Sequence, residues 1–356
     1  MRYLAILFIL IICSCSSKQD YEKEEEEEEV TTYYEPTIDD IQDSISSLPK
    51  DTLQRMRAIV KRLSEDSIMY ITRNIGYGGH PTLQYEYADH LSKIGTSWQL
   101  KRIALKHPSA VVRGIVFNAL VRKDAHAAVE VAIRGINDTT YVETMSCDCG
   151  DYEHLNELRV TTILHNKNYY NVSDRDHDRL DSAILFSKWI KLERLYSIPF
   201  ENLTPKPEYY QRLKSLYNKK NFTAPIIALV KYDNEESRKM LEELLESIER
   251  EDLTIQDYNN LPIRLSYALC AVSHSPTSNL YKESVHRIAN LFLEKKHSFY
   301  NNLYSAIMEY EEPWAFSLIE SSVKEYQDEW NLYDSYRNNP KPYFKSLYDK
   351  YCERYK

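Results

Sequence analysis

The sequence predicts an all-α protein, and three observations carry that expectation. Only 7 of the 356 residues are glycine, roughly 2% against a typical usage of about 7%. All seven (Gly76, Gly78, Gly79, Gly95, Gly114, Gly135 and Gly150) precede residue 151. Apolar residues recur at the three-to-four-residue spacing of a helix along most of the chain. Strand signals are nearly absent: alternating runs are few, and no Asn-Gly or Asp-Gly pair offers a tight hairpin turn.

Taken in order, Ile38, Ile41, Ile45 and Leu48 form the apolar stripe of a short helix that stops at Pro49. Asp51 is placed to cap a longer one, with Leu53, Met56, Ile59, Val60 and Leu63 on one face. Gly76-Tyr77-Gly78-Gly79 reads as a hinge before the next element. Three related joints follow, His80-Pro81-Thr82, His107-Pro108-Ser109 and Asn137-Asp138-Thr139, spaced 27 and 30 residues apart. Each ends in a hydroxyl residue suited to cap a following helix. Further stripes run through Met240, Leu241, Leu244, Leu245 and Ile248, then through Leu265, Ala268, Leu269 and Val272. Val285, Ile288, Leu291 and Phe292, and Ala315, Leu318, Ile319 and Val323, continue them. Phe344, Leu347, Tyr348, Tyr351 and Tyr355 outline a terminal aromatic helix suited to close an open end.

The stretch Trp98 to Leu120, WQLKRIALKHPSAVVRGIVFNAL, resembles a HEAT repeat. That family has one helix, a turn with Pro or Asp, and a second helix opening on a Val-Arg pair, here Val112-Arg113. Degenerate copies are expected around Val142-Glu143 and Arg159-Val160, so the resemblance covers about residues 80–165. It implies a right-handed α-solenoid of helical pairs, each burying its apolar face on the next. The expected division is 51–170 for HEAT-like repeats and 171–356 for a further helical region with an aromatic cap.

Several function classes lose their basis. There is no G-x-G-x-x-G, P-loop, G-x-S-x-G elbow or H-E-x-x-H. The formal net charge of −9 is concentrated in residues 15–35, where Asp20, Glu22, Glu24 to Glu29 and Glu35 face only two lysines. The remaining body is nearly balanced and lacks the basic excess that nucleic-acid binding needs.

Arg2 precedes a nine-residue apolar run, Leu4 to Ile12, and then Cys13-Ser14-Cys15. That run is far short of the ~20 residues needed to span a bilayer and has the length of a signal-peptide core. Ile12-Cys13-Ser14-Cys15 resembles the lipobox of a bacterial lipoprotein signal, with an aliphatic residue at −3 and a small one before the modified cysteine. Isoleucine stands for the usual leucine and cysteine occupies −2. The resemblance implies a signal peptide over 1–14 and a membrane anchor through lipid on Cys15. The glutamate block then resembles the acidic cluster of surface-reaching lipoproteins of Bacteroidota, and Ser16 lacks the aspartate that resembles an inner-membrane retention mark. An outer-membrane address, with the cell surface as one of its faces, follows as the expectation. Six adjacent like charges repel and bury nothing, so 15–50 reads as an acidic, mostly disordered tether.

Candidate chemistry is sparse. Cys147 and Cys149, with His154 and His165, are weak candidates for a zinc site, because thiolate and imidazole are its ligands but the second cysteine pair is missing. One helix over 154–165 would put both imidazoles on one face. Cys147 and Cys149 could equally close a small disulfide or remain thiols. Cys270 sits on an apolar stripe and reads as buried. Asp174, Asp176 and Asp178 have calcium-loop spacing, but Arg179 and Leu185 occupy positions six and twelve, so Ser173 capping an acidic helix start is preferred. No catalytic residue and no cofactor is assigned. The leading expectation is a membrane-anchored scaffold that binds a protein or other macromolecule, not nucleic acid, without catalysis. The alternatives are an envelope hydrolase with a site assembled from distant residues, or an immunity or inhibitor lipoprotein.

The Cys15→Ala protein is expected to leave the membrane fraction, since acyl chains contribute ~0.8 kcal/mol per buried methylene. Intact mass of membrane-extracted protein showing unmodified Cys15 would refute the anchor.

Overall fold

The computed structural model describes residues 38–75, 79–147, 149–165, 170–219, 222–250 and 263–355. Helices α1 (Ile38–Ser46) and α2 (Thr52–Leu63) open the fold, and the Asp51 carboxylate accepts the Gln54 N–H at 2.8 Å as the α2 cap. Arg62 reaches back from α2 to the Ser44 carbonyl at 2.9 Å and to the Tyr87 hydroxyl at 3.1 Å. Ile41 and Leu48 are buried. The expected boundary of the tether at residue 50 is therefore corrected, because 38–50 packs with the body.

The chain is mostly helical, with one small sheet that the absence of hairpin signals did not announce. Strand β1 (Ile68–Ile75) pairs with the short β2 (His80–Pro81); Gly76, Tyr77 and Gly78, expected as a hinge, lie outside the described residues. Then come α3 (Leu83–Ile94), α4 (Ser97–Lys106), α5 (Ala110–Lys123) and α6 (Ala125–Arg134). Thr96 and Gln99 form a reciprocal capping box on α4, Ser109 caps α5 and Asp124 caps α6. The pair α4–α5 coincides with the HEAT-like stretch. Thr82 makes no side-chain cap on α3.

The third joint is the correction. Asn137-Asp138-Thr139 leads into strand β3 (Tyr141–Cys147) and β4 (Cys149–His154), so Val142-Glu143 lies on a strand and opens no helix. The sheet order is β2-β1-β3-β4, with β1 and β3 parallel (Ile68↔Glu143, Tyr70↔Met145) and β3 and β4 antiparallel (Tyr141↔His154). Val142 and Thr144 point inward while Tyr141 is exposed, the period-two pattern of a half-buried strand. Met69 of β1 rests on α5 at Gly114, where any Cβ would collide with its sulfur.

Beyond the sheet lie α7 (Leu155–His165) and α8 (Asp174–Phe186), the latter capped by Ser173 as expected. Then follow α9 (Ile198–Glu201), α10 (Pro207–Tyr217), α11 (Ile226–Leu229), α12 (Glu235–Arg250) and α13 (Ile263–His274). Last come α14 (Lys282–Glu294), α15 (Asn301–Met308), α16 (Pro313–Tyr326), α17 (Glu329–Asn338) and α18 (Lys345–Tyr351). Packing alternates along the chain. From α3 to α17 each odd-numbered helix packs on the next odd-numbered one, and α4, α6, α8 and α10 do the same in a second row, as do α12, α14 and α16. At the end, Tyr348 stacks on Tyr336 with ring centroids 4.4 Å apart and on Tyr333 at 6.0 Å, over buried Phe344 and Leu347.

One polar network ties the first half together. Arg113 donates to both Asp138 carboxylate oxygens, at 3.0 and 3.2 Å, and to the His107 and Pro108 carbonyls at 2.8 and 2.9 Å. Buried Arg159 of α7 meets the same carboxylate at 3.2 Å and donates to the Ala104 carbonyl at 2.6 Å. Burial pushes Arg159 down to about 10, so it remains charged at neutral pH. Burial opposes the charge on Asp138, but the Thr140 hydroxyl and the two guanidiniums outweigh it and hold the carboxyl below its usual range.

Asp138→Asn is expected to lower the unfolding free energy by about 2–4 kcal/mol in urea at neutral pH, because two buried cations lose their counter-charge. A depressed carboxyl stabilises the fold fully above its unfolded value of 3.8, and that contribution disappears as pH falls through the lower folded value. The gap between the two proteins should therefore close in acid. Equal stability at neutral pH would refute the role given to Asp138.

Candidate functional site

Helical spacing puts three sets of side chains on one face: Gln84, Tyr85 and Ala88 from α3, Ile115, Asn118 and Arg122 from α5, and Leu158, Thr161 and His165 from α7. With Asp151 and Glu153 of β4 and the turn at Glu193–Tyr196, they line a cleft of about 790 Å³. Asp151 and Glu153 are two apart on a strand, hence on one side of it.

The charges are arranged in pairs and one remainder. The Arg122 guanidinium lies 4.0 Å from the centre of the Tyr85 ring. Glu157 is buried, accepts the Lys191 N–H at 3.4 Å and faces Arg194 Nε at 3.4 Å. Arg194 also donates to the Tyr152 carbonyl at 3.4 Å, which seats the turn against β4. Glu193 pairs with Lys219 at 3.5 Å. Asp151 and Glu153 make no ion pair among the described residues. Burial, and then the neighbouring Asp151 charge, raise the Glu153 carboxyl above its usual range, against the Thr144 hydroxyl.

Tyr196 closes this wall in a backbone conformation that few side chains adopt, φ 53° and ψ −129°. Such a residue costs of order 1–3 kcal/mol, and Tyr196 is 58% exposed.

A second cleft, of about 910 Å³, continues along the same row of helices from α7 and α9 to α13, α15 and α17. His165 and Ile198 line both clefts, so the two meet there. The second is mostly uncharged and polar, with Asn202, Ser273, Asn301, Asn302, Ser305 and Asn338 among its walls. Cys270 lies beneath it, and burial pushes its thiol well up, which keeps it protonated and unreactive. Burial likewise pushes His274 down, although its Nδ1 meets the Cys270 carbonyl at 2.9 Å.

The residues singled out in the sequence are dispersed. Cys15 lies outside the described residues, as do the side chains of Cys147 and Cys149, whose backbones end β3 and begin β4. His154 ends β4, so the expected single helix over 154–165 is corrected. Its imidazole is buried, tilted 36° against the Tyr141 ring with centroids 4.0 Å apart, with Nδ1 2.9 Å from the Thr139 carbonyl. His165 ends α7 at the junction of the two clefts, eleven residues away. Among the described residues, no three His, Cys, Asp or Glu side chains gather as a metal site. Cys270 is buried as expected, and Asp176 is held by Ser173 and His126 within a helix start.

Sequence reasoning missed the cleft residues Glu153, Glu157 and Tyr196. The alternation of Asp151 and Glu153 and the doublets Asn301-Asn302 and Asn338-Asn339 were the available signals. What the fold and site define is a mostly helical protein whose alternate helices share one cleft-bearing face. Compared with known proteins, the chain matches no family model, no curated protein and no solved structure.

Proposed function

We propose that the chain is a binding protein in which the odd-numbered helices form the inner row of a right-handed α-solenoid of HEAT-like pairs. Its body is held on the outer membrane by lipid on Cys15 and engages a protein or other macromolecule without catalysis. The observation that carries this reading is the alternation of packing: odd helix on odd helix from α3 to α17, with two clefts that meet on that row. Stacked pairs leave an extended face, and such faces bind through many modest contacts. The anchor is supported by the lipobox-like residues, and among the described residues no helix is long and apolar enough to cross a membrane.

An envelope hydrolase is the second reading, favoured by one observation. Glu153, raised by burial and by Asp151, has the character of an acid beside a base. Against it, Glu157 is held by Arg194 and the Lys191 N–H, which removes the third carboxylate from such chemistry.

Charge reversal separates the readings. Arg122→Glu with Glu193→Lys in the full chain is expected to release a partner captured by cross-linking, while Lys239→Glu and Lys324→Glu on α12 and α16 retain it. Retention by the first variant would remove the odd-numbered row from binding. A hydrolytic activity abolished by Glu153→Gln in a folded protein would decide for the enzyme.

A further inference from the structure

We propose that the second cleft recognises the main chain of an extended polypeptide segment of a partner protein, through its amide groups rather than its side chains. This rests on the odd-numbered row being a binding face and names the class of partner.

The argument begins with what the walls lack. No lysine or arginine lines this cleft among the described residues, so an anionic ligand finds no fixed positive charge there, and of its two carboxylates, Glu201 and Asp334, the second already accepts from Asn301. In a chain with 30 tyrosines, no tyrosine, tryptophan or phenylalanine lines it either. A sugar ring or a base therefore has no aromatic platform to stack on. The walls are more polar than apolar, which disfavours a lipid chain.

What the walls carry is carboxamide. Asn301 and Asn302 stand at the start of α15, and Asn338 and Asn339 straddle the end of α17. In three of them the NH₂ group already donates within the protein. Asn301 donates to Asp334 at 2.6 Å, Asn302 to the Ser266 hydroxyl at 2.6 Å, and Asn339 to Glu309 at 2.8 Å. Asn302 also donates to the Ser266 carbonyl and is left with its amide oxygen, whereas Asn301 and Asn339 each keep a second N–H; the Asn301 oxygen is buried and meets no donor. Ser305 and Asn338 make no side-chain hydrogen bond among the described residues.

Carboxamides and hydroxyls that both donate and accept match a backbone that alternates N–H and C=O. The spacing agrees. Packed helices lie about 8–10 Å apart, and an extended chain rises ~3.3 Å per residue. One step from α15 to α17 therefore spans about three residues. Where the clefts meet at His165 and Ile198, the segment has room to continue toward the carboxylates of the first.

The test uses the full-length protein and an immobilised library of capped decapeptides of mixed sequence. The tightest binder is then remade with N-methyl groups on alternate backbone nitrogens, which removes N–H donors and keeps every side chain. Methylation should weaken binding about tenfold or more, and Asn338→Ala and Ser305→Ala should each weaken the parent peptide about threefold. Unchanged affinity after methylation overturns the proposal. So does the absence of any binder when the charge reversals on α5 and the 192–195 turn still release a partner, an outcome that leaves the binding face standing. Capture of an oligosaccharide, lost in Asn338→Ala, overturns it in favour of a glycan. If the charge reversals release nothing either, the binding face itself fails with it.

Discussion

The carboxylate of Asp138 is the point on which the first half of the fold turns. It gathers two guanidiniums from helices that are not adjacent in sequence, Arg113 of α5 and Arg159 of α7. Through Arg113 it also fixes the carbonyls of the preceding joint, His107 and Pro108. Carbonyls at a helix end need partners, and here one side chain supplies them for one joint while its counter-ion sits in the next. Two consecutive turns are thus held in register by charge, while apolar contacts between α4, α5 and α6 supply the bulk of the burial. Gly135 belongs to the same arrangement, because a Cβ there would strike the Arg159 guanidinium.

This explains which parts of the structure were legible in the residues. The pair α4–α5 was, since capping residues, helical spacing and the Pro108 turn all agree locally. The Val112-Arg113 pair and Asp138 were each noticed, but that they would meet depends on how two joints stack, which no window of sequence contains. The sheet was opaque for a different reason. β1 buries little beyond Met69, and β3 alternates through Val142 and Thr144 only, so neither offers the long alternating run that marks a strand. Its pairing is decided by what lies beside it.

The clefts were least legible of all. Their walls come from segments scattered between β1 and the residues after α17, and only the alternating packing brings them to one face. Tyr196 shows the limit most sharply. A positive φ is ordinarily advertised by glycine or asparagine, and here a tyrosine holds it. The two clefts also differ in character. The first mixes charges and aromatic rings, whereas the second is mostly amides and hydroxyls, with the carboxylates of Glu201 and Asp334, over a quiet thiol.

The parallel pairing of β1 with β3 carries a kinetic consequence. Nearly every other contact joins an element to one that follows it closely, whereas Ile68 opposite Glu143 closes a loop of about 75 residues. Loops of that size close slowly, and folding rates fall as contacts become less local. The β1–β3 pairing is therefore the contact with the largest loop to close among the strand pairings of the sheet. The later helices have no such strand pairing among the described residues and hold together through helix-on-helix contacts alone.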